Sequence, residues 1–323
     1  MPESSAARSA VAASGLEVDL GFLKLRNPVI GASGLFGVET GNVSDLSRLG
    51  AVVTKTQFLG TRPGNALHRM TETPAGLLNS VGIPCLGVEH FVDVEWPLWR
   101  HAGCPVVVSI GGERFEDYFD LAERLDALPE VAALEVNISC PNQAAGGLEF
   151  GADPRDVERV VSGVRRRTLL PVIAKLTPNV TRIADIALAA EAGGAHALCA
   201  VNTVLGMALD IRTQSSRLGS LRGGLSGPAI RPIAVRAVWE VAQSTSLPVI
   251  GTGGAESPED VLEFVLAGAA AVGVGTAVLY SVRQVERMPG DLRRLLSEIG
   301  VGSLDELRGS LRQSRLSQDV TAG

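Results

Sequence analysis

Eight short apolar runs, most of them followed by an amphipathic helical stretch, constrain the fold of this chain more than any other feature. They are Pro28–Ser33, Ala51–Thr56, Pro105–Ile110, Ala133–Ser139, Pro171–Thr177, Ala195–Thr203, Pro248–Gly253 and Ala271–Thr276. Near-continuous apolar strands of this length are buried on both faces, as in a parallel sheet covered by helices. Eight in succession predict an α/β fold whose sheet closes on itself, a (β/α)8 TIM barrel. An open doubly wound sheet is the alternative, and it needs a reversal of strand order that a sequence does not display. The helices carry signals of their own. Asp153-Pro154 and Ser257-Pro258 each pair an N-cap with proline at the first helical position. Ile183–Ala192 is rich in alanine, the best helix former. Arg165-Arg166-Arg167 falls where a helix should end and complements its dipole.

At 323 residues the chain exceeds the roughly 250 that one barrel needs. The surplus is assigned to a disordered tail over residues 1–14, a short tail over 312–323 and long loops within a barrel domain spanning 15–311. Residues 1–14 are rich in Ala and Ser and lack the basic and apolar regions of a signal peptide. Leu16–Leu25 alternates around Gly21 and predicts a β-hairpin closing the barrel floor. Gln57 to Gly103 and Val204 to Ser226 are unusually long connections, and both leave from strand C-terminal ends, where barrel active sites sit.

Composition excludes several classes. A net charge of −6 argues against a nucleic-acid surface, and no apolar stretch approaches the ~18 residues of a membrane span. The four cysteines, Cys85, Cys104, Cys140 and Cys199, are widely spaced, and the four histidines show no ligand spacing. Neither a local metal cluster nor a disulfide framework is expected, and a reducing cytoplasm fits.

Polar and glycine residues gather at the ends of the runs: Ser33, Lys55, Asn137 with Cys140, Lys175, Asn202-Thr203, Gly253-Gly254 and Gly275-Thr276. Seven of the eight runs thus bring such a residue to one rim. A lysine within an apolar strand, as at Lys55 and Lys175, is costly to bury without an anionic partner. Two of them point to an anion-binding rim, against the plainer reading that each snorkels to the surface. Gly251–Gly254 and Gly273–Thr276 end the last two strands, where barrels often bind phosphate through backbone N–H groups. Cys140 reads either as a thiol aimed above the sheet or as a small buried hydrophobe.

Several ordered motifs then resemble one family. They are NPVIGASGLFG at Asn27–Gly37, NISCPN at Asn137–Asn142, KLTPN at Lys175–Asn179, VNTVLGMALD at Val201–Asp210, GGLSGPAI at Gly223–Ile230, and GTGG and VGTA at Gly251–Gly254 and Val274–Ala277. From about Leu16 to Tyr280 the chain resembles the class 1 dihydroorotate dehydrogenases, FMN enzymes of pyrimidine biosynthesis. The resemblance implies oxidation of (S)-dihydroorotate to orotate, with Cys140 as the base and hydride transfer to FMN. It implies substrate contacts from Lys55, Asn79, Val81, Gly82, Ile83, Asn137, Asn202 and Thr203. Cofactor contacts are implied from Ser33, Lys55, Thr56, Ser109, Asn137, Lys175 and Val201, with Gly227, Gly253, Gly254, Gly275 and Thr276 around the phosphate. It also implies a cytoplasmic homodimer.

The core motifs are similar to the NAD-linked branch, whose catalytic subunit passes electrons to a separate FAD and iron–sulfur subunit. Asn79–Val88 (NSVGIPCLGV) is closer to the fumarate-linked branch, with Cys85 where that branch usually has Asn. KLTPNV and Asn202-Thr203 are also similar to dihydropyrimidine dehydrogenases, which take uracil or thymine. A non-redox phosphate-binding barrel is the reading from another class.

Overall fold

The computed structural model describes residues 15–139, 141–142 and 148–312. Cys140 and the expected tails, except residue 312, lie outside the described residues. All eight apolar runs form strands: β1 (Val29–Gly31), β2 (Ala51–Val53), β3 (Val106–Ile110), β4 (Val131–Asn137), β5 (Val172–Leu176), β6 (Ala197–Ala200), β7 (Val249–Thr252) and β8 (Ala271–Val274). Each pairs in parallel with the next, and β8 closes on β1 through Val272 opposite Val29. A closed barrel has no reversal of strand order, so the open-sheet alternative is ruled out.

Side-chain parity sorts the strands into two faces. Leu134, Val136, Val172, Ala174, Leu198 and Ala200 are fully buried, as are Val157, Val160, Val161, Ala187 and Ala190 on the outer helices. The alternate residues, among them Glu135, Ile173, Lys175, Cys199, Ile250 and Thr252, line the barrel interior. The helices begin where the sequence says they should. Asp153 accepts from the N–H of Arg155 at 2.9 Å to start helix Pro154–Arg165, and Ser257 accepts from that of Asp260 at 3.3 Å to start Pro258–Leu266. Such caps contribute about 1 kcal/mol each.

The predicted hairpin pairs Val18–Asp19 with Lys24–Leu25. Its tip places Leu20 and Leu23 beside Ile30, Val107, Ile173 and Ile250, plugging the floor with apolar atoms. The two long connections meet above the opposite end. Their strands Val204–Gly206, Gly223–Ser226, Gly76–Asn79 and Met70–Thr73 form one antiparallel sheet in that spatial order. One end of the barrel is thereby stoppered and the other roofed.

Candidate active site

Between the strand C-termini and the roof lies a cavity of about 420 Å³, within the ~300–1,000 Å³ of small-molecule sites. Ser33, Lys55, Thr56, Asn137, Lys175, Val201, Thr203, Gly253, Gly254, Gly275 and Thr276 line it from the barrel. Asn79, Val81, Gly82, Ile83, Ser226 and Gly227 line it from the roof and the segments leaving it. Seven of the eight strands reach this wall. The exception is β3, whose Ser109 is fully buried and meets the Thr56 hydroxyl at 3.0 Å, one step behind the lining. Asn202, half-buried between the lining residues Val201 and Thr203, bonds to Asn137 in the wall.

An amide relay organises the polar side. Asn137 donates through Nδ2 to Thr56 Oγ1 at 3.3 Å, and its Oδ1 accepts from Asn202 Nδ2 at 3.2 Å and from the Ser139 N–H at 3.3 Å. Asn202 Oδ1 accepts from the Thr203 N–H at 2.8 Å. Tyr118 donates to the Asn137 carbonyl at 2.9 Å, pinning the end of β4 from the helix side. Asn79 donates to the Gly224 carbonyl at 3.2 Å, within the roof. An amide offers two donors and two lone pairs. Among the described residues, one Asn137 N–H, one Asn202 N–H and the whole Asn79 carbonyl oxygen are left over. Ile83 sits at φ +47°, rare for a β-branched residue and a place where strain of ~1–3 kcal/mol is held by its surroundings.

The two strand lysines differ. Lys175 is 7% exposed and donates to Glu135 Oε1 at 3.3 Å, so its anionic partner is internal and it does not snorkel. Lys55 is half-buried at the cavity wall with no ion pair among the described residues. Beneath the cavity, Cys199 lies opposite Lys175 in the ladder, with its thiol 3.6 Å from Thr252 Oγ1. Burial, reinforced by the Glu135 charge, pushes that thiol up to about 12.

At the far end, the glycines form a cradle. Gly254 has φ +88°, and a Cβ there would stand 2.6 Å from the Gly227 carbonyl oxygen. Thr276 donates to Ser226 Oγ at 2.9 Å, tying the end of β8 to the roof. Helix Arg231–Ser244 begins beside this cradle, with Ile230 in the cavity wall.

Two polar residues at the site escaped the sequence reading. Glu135 stands two residues before Asn137 on the same inward face, and an acid inside an apolar run was the available signal. Asn179, the last residue of KLTPN, donates to the Thr203 carbonyl at 3.2 Å and accepts from the Leu205 N–H at 2.9 Å, holding the start of the roof. The apolar lining residues Met70 and Leu77 of the roof and Leu279 after β8 had no signal of their own.

The family model described as dihydroorotate dehydrogenase matches residues 15–296. A protein of Desulforudis audaxviator named dihydroorotate dehydrogenase B (NAD(+)), catalytic subunit, is 49% identical over 95% of this chain and 98% of its own length. Proteins of the same name from Geotalea uraniireducens and Desulforamulus reducens are 45% and 46% identical, covering 92% and 91% of this chain and 98% of each relative.

Proposed function

This chain belongs to the dihydroorotate dehydrogenase family, and on that premise we propose that it oxidises (S)-dihydroorotate to orotate in pyrimidine (UMP) biosynthesis, with FMN as resident cofactor. The observation that carries the reading is the meeting in one roofed cavity of two lysines, an amide set and a glycine cradle. The residues present fit FMN. A Cβ at Gly254 would fill the cradle, the roof and wall supply apolar surface for a ring system, and the glycine backbone offers neutral donors to a phosphate. FMN, when bound, supplies the acceptor for the hydride that leaves the substrate.

The chain's own residues divide the remaining work. Gly227, Gly253, Gly254, Gly275 and Thr276 hold the phosphate, while Ser33, Thr56 and Val201 flank the ring and Ser109 supports Thr56 from behind. Lys175 would lie near the electron-rich edge of the bound ring, where a cation would favour the reduced form. Lys55 meets the substrate carboxylate. Asn79, Asn137, Asn202 and Thr203 grip the pyrimidine, with backbone groups of Val81, Gly82 and Ile83 completing the pocket. Cys140 takes the proton from the carbon next to the carbonyl. Support for that role comes from its place in NISCPN, three residues beyond Asn137.

The relatives' name, the catalytic subunit of an NAD(+) enzyme, favours electron transfer to NAD through a partner subunit over transfer to fumarate, and that partner would carry the FAD and iron–sulfur centre that the resemblance implies. A homodimer is part of the reading, and exposed Leu205, Met207, Leu209 and Ile211 beside the roof offer it an apolar face. Among the described residues Lys55 has no ion pair, which favours an anionic substrate over uracil or thymine. Among the described residues, no helix is long and apolar enough to cross a membrane.

The test is anaerobic mixing of the purified protein with dihydroorotate, then with NAD or fumarate. Flavin bleaching by dihydroorotate is expected, and Cys140→Ala should abolish it while FMN stays bound. A colourless protein that takes up no FMN would end the proposal, and normal bleaching in the variant would remove Cys140 from the base role.

A further inference from the structure

One buried charge inside the barrel has no task in the reaction described above. Glu135 projects inward from β4, is 3% exposed and pairs with Lys175 at 3.3 Å. Lys175 borders both the cavity at the mouth and the small internal space beneath it, whereas Glu135 borders only the lower space. The acid is therefore on the far side of the ammonium from the cavity. Cys199, on the adjoining strand, stays a neutral thiol because burial pushes it up to about 12. Among the described residues this layer of Glu135, Lys175, Cys199 and Thr252 thus holds one negative and one positive group. Packing alone does not call for such a pair, since apolar residues of similar volume are often equal or better for stability.

We propose that Glu135 is a positioning residue that sets the electrostatic potential beneath the cofactor. It anchors the Lys175 ammonium and cancels its net charge, so the cavity floor presents an oriented dipole rather than a bare cation. The inference rests on the reading that FMN lies over Lys175. Reduced FMN carries more negative charge than oxidised FMN. A bare cation would hold the reduced form too tightly for onward electron transfer, and Glu135 moderates that preference.

Glu135→Gln keeps the shape and an acceptor for Lys175 while removing the charge. The measured quantity is the affinity of the protein for reduced FMN relative to oxidised FMN, obtained by titration against redox dyes at pH 6.5. In Glu135→Gln this ratio should rise at least about tenfold, an upward shift of about 30 mV for a two-electron couple. Glu135→Asp, which retains the charge, should return it toward the wild-type value. Glu135→Gln/Lys175→Gln preserves volume and pairing without either charge, and its ratio should fall to the wild-type value or below. FMN-loaded Glu135→Gln protein with an unchanged ratio overturns the proposal, as does a double variant equal to Glu135→Gln. Failure of wild-type protein to bind FMN at all overturns the functional reading instead, so the two failures are distinguishable.

Discussion

Asn202 donates through Nδ2 to Oδ1 of Asn137 at 3.2 Å, joining the ends of β6 and β4 across the intervening β5. Because Asn202 also accepts from the Thr203 N–H at 2.8 Å, one side chain fixes the orientation of two other site residues. Asn202→Ala removes both bonds and leaves Asn137 with a lone pair to satisfy. Orotate affinity should fall about tenfold to a hundredfold, that is by ~1.4–2.8 kcal/mol, with FMN content unchanged. Perturbation of the flavin spectrum by orotate gives the affinity. Wild-type affinity would make the relay a structural brace with no part in binding.

A second expectation concerns Lys55, the strand lysine that has no ion pair among the described residues. If it faces the substrate carboxylate, Lys55→Ala should weaken orotate binding by at least about tenfold, since a charge-assisted bond contributes ~1.5–3 kcal/mol. Binding of uracil, which has no carboxylate, should change little. Equal losses for both ligands, read from the same titration, would favour the neutral-pyrimidine reading.

The barrel was legible in the sequence because the strands are largely apolar on both faces and most are closed off by glycine, asparagine or proline. The floor hairpin was legible because Leu20 and Leu23 flank a glycine turn. The roof was not. Its strands at Met70–Thr73, Gly76–Asn79, Val204–Gly206 and Gly223–Ser226 are short, come from two distant connections and stabilise one another only by pairing across them. No local pattern encodes such pairing. At the site, residues with unusual chemistry for their position, such as Lys55, Lys175 and Asn137, were visible as polar interruptions of apolar runs. Glu135 interrupts its run in the same way, but its pairing with Lys175 runs between adjoining strands, and strand adjacency is set by barrel closure and not by local sequence.

A buried thiol, Cys199, and a half-buried one, Cys104, give a pH expectation. Burial pushes Cys104 up to about 11 and Cys199 up to about 12, against an ordinary value near 9.0. Above pH 9 the unfolded chain releases these protons while the folded chain keeps them, so the unfolded state binds fewer protons and stability falls as pH rises. Each thiol contributes a loss of at most ~1.4 kcal/mol per pH unit over that window. Below pH 9 both are protonated in either state and contribute no slope. Denaturant titrations from pH 8 to 11 should show this fall, and Cys199→Ala should flatten it. A slope unchanged in the variant would mean that Cys199 is not the group that titrates.

Two of the cavity glycines, Gly254 and Gly275, make opposite predictions for the protein without cofactor. Gly254 has φ +88°, and a methyl group there would stand 2.6 Å from the Gly227 carbonyl oxygen, a backbone atom with no rotamer to escape into. Gly275 has no such backbone requirement, and its added methyl would meet Ala32 Cβ at an ordinary 3.6 Å. Gly254→Ala should therefore lower the melting temperature of the FMN-free protein, reflecting ~1–2 kcal/mol of left-handed strain together with the displacement of Gly227. Gly275→Ala should leave that temperature close to wild type. Both variants place a carbon atom in the proposed phosphate cradle, so both should weaken FMN binding by at least about tenfold, or ~1.4 kcal/mol. Thermal melts of the FMN-free proteins followed by fluorescence titration with FMN separate the two effects. Full FMN affinity in Gly275→Ala would mean that the phosphate does not approach the end of β8.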